Sequence, residues 1–276
     1  MVASSVVLLA AGVVAVILSL TSRESRPPQA SAAVDAAARW IAGQVSHDAS
    51  VACDHAMCDA LTAQKFPVSK LQLIRPDSPY PRTAQVVVIT PVVHRQFGSS
   101  LATDWAPEVL ATFGTGGNAI SVRIMAPHGA LKYRAQLATD LRQRRSGGAG
   151  LLQSPEVTAS PAASRRLLAG AVDTRLIVVL TALAAQQPID ILDFGTTYAG
   201  TSPGIPLRTA DLGEEVAAAG MNRSDYLRFL LQQLHQQRGI YKPLTLRTSK
   251  DGAGKYMLQV TFAAPSPLLL LGGQGH

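Results

Sequence analysis

The sequence is poor in cysteine and in aromatic residues, and it contains no complete catalytic motif. Only two cysteines, Cys53 and Cys58, occur in its 276 residues, so no second pair exists to complete a four-cysteine zinc site. Aromatic residues make up 5% of the chain, while alanine is abundant, which favours helices that pack through small side chains. With 47% hydrophobic residues, the chain can still bury a sizeable core, as one large domain or two small ones.

Charge is missing from the opening segment MVASSVVLLAAGVVAVILSL. A helix of about 19 apolar or small residues is about 28 Å long, close to the hydrocarbon thickness of a bilayer. We therefore expect a transmembrane anchor at residues 1–22. A cleaved secretion signal is the alternative, because ASA at residues 30–32 resembles a processing site, although a basic segment before the apolar run is lacking. Arg23 and Arg26 follow the run, and a strict positive-inside count would place the remaining chain in the cytoplasm.

The net charge is +7 and the pI is about 9.7, which permits attraction to anionic lipids, cell-wall polymers or nucleic acid. The densest basic run, KYRAQLATDLRQRR at residues 132–145, spreads its charges along a predicted helix in which Tyr133 is the single aromatic residue. No nucleic-acid-binding motif accompanies this run. We therefore expect a solvated helix face that can contact lipid headgroups, and no nucleic-acid partner.

Strands alternate with helices in the first half of the chain. VDAAARWIAGQV has helical spacing, ASVAC is a short strand, and DHAMCDALTAQ is a helix that begins at Asp54, a good N-cap. KLQLI, QVVVIT and AISVRIMAP are predicted strands, and the apolar β-branched run of QVVVIT is typical of a sheet covered on both faces. APEVLATF is predicted as a short helix with proline in its first turn. This order favours a Rossmann-like α/β domain built on parallel strand pairs.

The second half predicts an α+β domain. TRLIVVLTALAAQQ and NRSDYLRFLLQQLHQQRG are predicted helices, the latter capped by Asn222, and IDILDFG and PLRTADL are predicted strands. LTLRTS and YMLQVTFA form a predicted hairpin. The stretch SGGAGLLQSPEVTASPAAS, rich in small and turn-forming residues, is typical of a linker.

The predicted fold class is thus α/β, with an N-terminal transmembrane helix, a small Rossmann-like α/β domain and then a small α+β domain. The expected segments are an anchor at 1–22, a linker at 23–33, the Rossmann-like domain at 34–145, a linker at 146–164, the α+β domain at 165–264 and a tail at 265–276.

The stretch CDHAMCD places both cysteines beside Asp54, His55 and Asp59. Zinc sites usually show C-x2-C spacing, and thioredoxin-type redox sites need C-x-x-C at a helix start, so the C-x4-C spacing fits neither. If Cys53 ends a strand and Cys58 lies one turn into a helix, the sulfurs come within range of a short disulfide. Two buried free thiols are the alternative. We therefore expect no metal site and no cofactor.

Asp54, His55 and His94 form the candidate ligand-binding corner, because the carboxyl ends of parallel strands are where such sheets bind ligands. A nucleotide would need a glycine-rich turn there, and CDHAMC contains no glycine. No G-x-S-x-G elbow surrounds Ser99 or Ser100, so a hydrolytic triad with His94 is not indicated.

Three segments occur in a recognisable order over about 90 residues: AARWIAGQVSHDASVACDHAMCDALTAQKFP, AQVVVITPVVHRQF and APEVLATFGTGGNAISVRIMAP. This order resembles the soluble C-terminal region of actinobacterial multi-pass membrane glycosyltransferases of the mannosyltransferase type. The matching residues are Trp40, Asp54, Val87, Val88, Thr90, Pro91, Phe113, Gly114, Gly116, Val122, Arg123 and Pro127. The resemblance implies a domain fold and a position outside the cytoplasmic membrane. It does not imply glycosyl transfer, because the multi-pass catalytic body is absent from the sequence.

The second half, in AVDTRLIVVLTALAAQQPIDILDFG and TSPGIPLRTADL, is faintly similar to zinc D-Ala-D-Ala peptidase-like modules. Asp211 matches the position of an aspartate ligand, but nonpolar residues of PGIPL replace the expected histidine. A zinc hydrolase needs about three protein ligands, so the similarity implies an inactive recognition scaffold.

These features predict a single-pass protein of the cell membrane with most of its chain extracytoplasmic. Its expected role is a non-catalytic binding or accessory module of the cell envelope, with the lipid bilayer and a cell-wall glycan or an envelope protein complex as partners. The alternative is a cell-envelope transferase or hydrolase that acts on glycan or peptidoglycan through residues near Asp54, His55 and His94.

Overall fold

The computed structural model describes residues 28–195, 198–213, 222–250 and 254–272. These residues form a mixed α/β structure with two five-stranded mixed sheets. The predicted anchor at 1–22 lies outside the described residues. Among the helices that are described, none combines the length and apolar character needed to cross a bilayer.

The N-terminal sheet has the strand order β2-β1-β3-β5-β4. Strands β2, β1 and β3 are parallel, as predicted for this half, whereas β3 pairs with β5 and β5 with β4 in antiparallel register. The strands are β1 (Val51–Cys53), β2 (Leu71–Leu73), β3 (Val86–Ile89), β4 (Glu108–Phe113) and β5 (Ile120–Ile124). The accompanying helices are α1 (Pro28–Gln44), α2 (His55–Ala63) and α3 (Pro91–Phe97), followed by a π-helical turn at Leu101–Trp105.

Strand β3 is buried on both faces, as its apolar run predicts. Val86 and Val88 belong to the core under α1, while Val87 and Ile89 belong to a second core on the opposite face. Successive side chains of a strand point to opposite faces, so four apolar residues in a row require two apolar layers. The prediction that QVVVIT is a covered strand is therefore confirmed.

The predicted helix in APEVLATF is wrong, because Glu108–Phe113 forms strand β4. This strand pairs with β5 across a turn in which Gly114 and Gly116 have φ angles of 73° and 59°. A Cβ at Gly114 would lie 3.2 Å from both Ala33 Cβ and Asn118 O, so glycine suits the turn on two counts. Cross-strand pairing thus outweighs a weak local helix preference.

The C-terminal sheet has the strand order β6-β7-β8-β10-β9, with β6 and β7 parallel and the remaining pairs antiparallel. The strands are β6 (Val157–Ala159), β7 (Ile189–Gly195), β8 (Thr209–Gly213), β9 (Thr245–Lys250) and β10 (Tyr256–Thr261). Helices α5 (Pro161–Leu168), α6 (Thr174–Ala184) and α7 (Arg223–Gln236) accompany them. As predicted, Asn222 caps α7, since its Oδ1 accepts a 2.9 Å hydrogen bond from Asp225 N.

The linker predicted at 146–164 is wrong. Helix α4 (Ala130–Leu152) continues through the first seven residues of this stretch, and β6 and the first half of α5 occupy much of the remainder. The glycines that suggest a linker allow close packing instead, because a Cβ at Gly148 would lie 2.6 Å from Leu167 O. Tyr133 of α4 contributes to the N-terminal core and Leu151 to the C-terminal core, so one helix serves both sheets.

The predicted linker at 23–33 and the predicted tail at 265–276 also differ from the prediction. Helix α1 begins at Pro28, inside the predicted linker at 23–33. The described part of the predicted tail packs against α4, where Leu269 N donates a 2.9 Å hydrogen bond to Asp140 Oδ1. Leu268 packs against the N-terminal core and Leu271 lies beside Gly147 of α4, so this part of the predicted tail contributes to the fold.

Asp173 forms a buried ion pair at the start of α6. Its carboxylate accepts hydrogen bonds from Arg175 N (2.8 Å), Nε (3.0 Å) and Nη2 (2.8 Å), and Arg175 also donates to Ala263 O at 2.7 Å. Burial alone would raise the pKa of Asp173, but the charge and hydrogen bonds of Arg175 outweigh it and hold that pKa below its ordinary value.

We expect Asp173→Asn to lower the free energy of unfolding by about 3 kcal/mol or more at pH 7, because Arg175 would be left buried without its counter-ion. Since the pKa of Asp173 is depressed in the folded state, its stabilisation is complete above about pH 4 and is lost as the pH falls through the folded pKa. Urea denaturation should therefore show the wild-type and variant values converging at acid pH. The exposed ion pair of Asp225 with Arg228 offers a control, and Asp225→Asn should cost less than about 1 kcal/mol.

Candidate functional site

The predicted corner at the carboxyl ends of β1 and β3 has a structural role. Asp54 caps α2 by accepting a 2.9 Å hydrogen bond from Met57 N on Oδ1. Its Oδ2 accepts a short hydrogen bond from Thr90 Oγ1, and Thr90 Oγ1 in turn caps α3 by accepting from Val93 N. Asp54 is 6% exposed, and each of its carboxylate oxygens already has a protein donor. The corner therefore ties two adjacent helix starts together.

The two histidines of the predicted corner do not join Asp54. His55 is exposed and pairs with Asp59 on the next turn of α2, at 2.9 Å. His94 is exposed on α3, and neither imidazole is bonded to Asp54 in the part of the chain that the structure describes. No group of three His, Cys, Asp or Glu side chains within the described ranges is arranged to hold a metal ion. Asp211 accepts a 2.9 Å hydrogen bond from Gln259 Nε2 on the neighbouring strand.

Cys53 and Cys58 are joined by a disulfide, with their Cα atoms 5.4 Å apart. Cys53 is the last residue of β1 and Cys58 is the fourth residue of α2, so the bond closes the strand-to-helix turn. A loop this short removes little chain entropy from the unfolded state. The disulfide therefore fixes the turn more than it stabilises the whole fold.

We expect the double variant Cys53→Ala, Cys58→Ala to remain folded and to lose about 2 kcal/mol or less of unfolding free energy. Denaturant titration measures this loss. Protein isolated with a thiol-trapping reagent should carry no label on either cysteine. Labelling of both thiols in freshly isolated protein would contradict the disulfide.

A cleft lies where the two sheets meet. The chain at 200–202 runs along the edge of β4, because Thr112 N donates to Gly200 O and Ser202 N donates to Leu110 O, both at 2.9 Å. Trp40 Nε1 donates to Thr201 Oγ1 at 3.0 Å and holds this segment against α1. The next residues turn away from β4 and leave a cleft of about 360 Å³. Its walls are residues 107–109 at the start of β4, Tyr133, Arg134 and Leu137 of α4, and residues 202–205.

Glu108 and Tyr133 form the polar part of this junction cleft. Tyr133 Oη donates a short hydrogen bond to Glu108 Oε2. Burial raises the pKa of Glu108 above its ordinary value, and the Tyr133 hydrogen bond offsets part of that rise. Burial also raises the pKa of Tyr133, so its hydroxyl stays protonated and remains a donor. The pair presents a desolvated carboxylate to the cleft.

Behind the cleft, a smaller cavity of about 10 Å³, room for about one water molecule, is lined by Glu108 and Arg208. Arg208 is 3% exposed and donates to Phe262 O at 3.0 Å and to Gln44 O and Oε1 at 3.3 Å. Its Nε has no hydrogen-bond partner among the described residues. Burial lowers the pKa of Arg208 to about 10, which leaves it cationic at neutral pH.

Motif reasoning misses this site because its polar residues come from three distant segments of the chain. Glu108 stands in a segment predicted as a helix, and Tyr133 and Arg134 lie in a helix face interpreted as solvated. Ser202 belongs to a turn-rich segment without periodicity. One usable signal is the acidic side chain of Glu108 beside the apolar run VLATF, since a carboxylate in an apolar setting often marks a site.

Fold and cleft together define a mixed α/β protein with two sheets and a ligand-sized cleft at their junction. No protein-family model matches the chain, and no curated protein or solved structure is significantly similar to it.

Proposed function

We propose that the protein is a single-pass, membrane-anchored binding module of the cell envelope, with its folded region extracytoplasmic and without catalytic activity. The junction cleft is the observation that carries the proposal, because it is a concave site with a few polar groups set in apolar walls. The uncharged segment at residues 1–20 supports the anchor. The disulfide supports an oxidising compartment.

The mode of action proposed is recognition of an envelope component in the cleft. Glu108, Tyr133 and Ser202 supply polar contacts, while Val109, Leu137 and Ile205 supply apolar surface. The Asp54 corner, which the transferase or hydrolase alternative requires, has its carboxylate oxygens engaged and its histidines turned to solvent. The resemblance to the soluble region of membrane glycosyltransferases supports a place beside glycan assembly. The parallel strands β2, β1 and β3 support a Rossmann-like N-terminal domain.

A fusion of alkaline phosphatase to the C-terminus tests the location. We expect an active fusion, because this reporter folds only where its disulfides form. A fusion of a cytoplasmic reporter at the same position should be inactive. The opposite pattern would contradict the extracytoplasmic placement and would favour a protein on the cytoplasmic membrane surface.

Binding of soluble fragments from digested cell walls to the full-length protein in detergent tests the cleft. We expect binding that Ser202→Trp weakens by at least about tenfold, since the indole would fill the cleft. Ser249→Trp, on the exposed strand β9, is the matched control and should bind as the wild type does. Mass spectra of the fragments should be unchanged after incubation, and new products that disappear in His94→Ala would contradict the non-catalytic role.

A further inference from the structure

Glu108 forms no ion pair with any described residue, and the charge of Arg144 acts on it only from a distance. Within the part of the chain that the structure describes, its carboxylate receives one hydrogen bond, from the neutral hydroxyl of Tyr133 to Oε2. Its Oε1 therefore has unused acceptor capacity at the wall of the junction cleft. A partly buried carboxylate without a cation gains more from a cationic ligand group than from any neutral one.

The hydrogen bonds of the nearby cations go to groups other than Glu108. Arg144 pairs with Asp140 at 2.7 Å and donates to Gly170 O, and Arg208 is bonded to Phe262 O and Gln44. Arg134 is exposed at the rim of the cleft, where solvent screens its charge. None of the three forms an ion pair with Glu108 among the described residues.

The remaining walls suit a hydrocarbon stem. Val109, Leu137 and Ile205 face the cleft from β4, from α4 and from the segment at residues 202–205. Gly204 lines the cleft and is exposed, and nothing lies within 4 Å of where its Cβ would be, so no neighbouring group fills the cleft at that point. A volume of about 360 Å³ is at the small end of the range for ligand sites and admits one side chain with its backbone.

From these three observations we infer that the junction cleft binds a peptide through a primary ammonium group on an alkyl stem, as in a lysine-type side chain, with Glu108 as counter-ion. This inference rests on the proposed function and names the ligand class for the same cleft. A neutral sugar would leave the carboxylate uncompensated, and Tyr133, which is 7% exposed, presents little ring surface for stacking. An anionic group would be repelled by Glu108.

The groups that face Glu108 set the pH dependence of binding. They are Tyr133, Arg134, Asp140 and Arg144 of α4, and Arg208 across the inner cavity. Because burial raises the pKa of Glu108, ammonium binding is complete above that pKa and is lost as the pH falls through it. The ammonium itself, with an ordinary pKa of about 10.4, stays charged throughout.

Calorimetric titration of the full-length protein in detergent tests the inference. The probe is Nα-acetyl-lysine N-methylamide, and the control probe is its Nε-acetylated form, which keeps the stem and lacks the charge. We expect the charged probe to bind at least about tenfold more tightly, and Glu108→Gln to remove that preference. Glu156→Gln makes the same change at an exposed carboxylate outside the cleft and should bind as the wild type does.

Tyr133→Phe gives a readout that a purely structural role would not produce. Because the Tyr133 hydrogen bond lowers the pKa of Glu108, its loss should move the midpoint of pH-dependent binding upward while the ring keeps the packing.

Equal affinity for both probes, no binding of either by folded protein, or an unchanged Glu108→Gln variant would each overturn the inference. If wall fragments bind and Ser202→Trp blocks them while Glu108→Gln does not, the inference fails and the proposed function stands. If wall fragments do not bind either, both fail.

Discussion

The close approach of α4 to α5 is the constraint on which the arrangement of the two sheets depends. At Gly148 the helix backbone lies so near Leu167 O that any Cβ would overlap it, and at Gly147 a Cβ would lie 2.8 Å from Leu271 Cδ1. Since α4 is one continuous helix, this contact also fixes its first turns, where Tyr133 and Leu137 form a wall of the cleft. Packing in one half of the molecule thus positions binding groups in the other.

The segment at residues 200–205, which runs along the edge of β4 and then turns away from it, supplies the second constraint. Gly200 has a φ of 89°, and a Cβ there would lie 2.5 Å from Phe113 Cε1, so the chain can approach the end of β4 only through a glycine. A few residues later Arg208 binds the end of α1 and the strand end at Phe262. The cleft is the space left between a helix and a segment that are each held by backbone contacts. Its shape is therefore set before any ligand binds, which limits the entropy lost on binding.

Local sequence patterns predict the helices, strands and caps that depend mainly on neighbouring residues. The apolar runs of β3 and β7, the helix caps at Asp54 and Asn222, and the hairpin of β9 and β10 all follow from neighbouring residues. Strand β4 and the end of α4 could not be predicted in this way. Strand β4 forms because it pairs with β5. The end of α4 contains glycines because the helix lies against α5 and Leu271 there. The cleft unites residues 108, 133 and 202, and no spacing along the chain expresses that proximity.

The Asp54 corner and the junction cleft differ in how far hydrogen bonds within the fold satisfy their carboxylates. Asp54 has protein donors on both oxygens, and its interactions are complete within the fold. Glu108 receives one hydrogen bond from the described residues, from the neutral hydroxyl of Tyr133, and burial disfavours its charged form. A glutamine could accept the same Tyr133 hydrogen bond without that electrostatic cost, so packing alone does not explain a carboxylate at this position. An external cation would complete the interactions of Glu108 as Thr90 and Met57 complete those of Asp54.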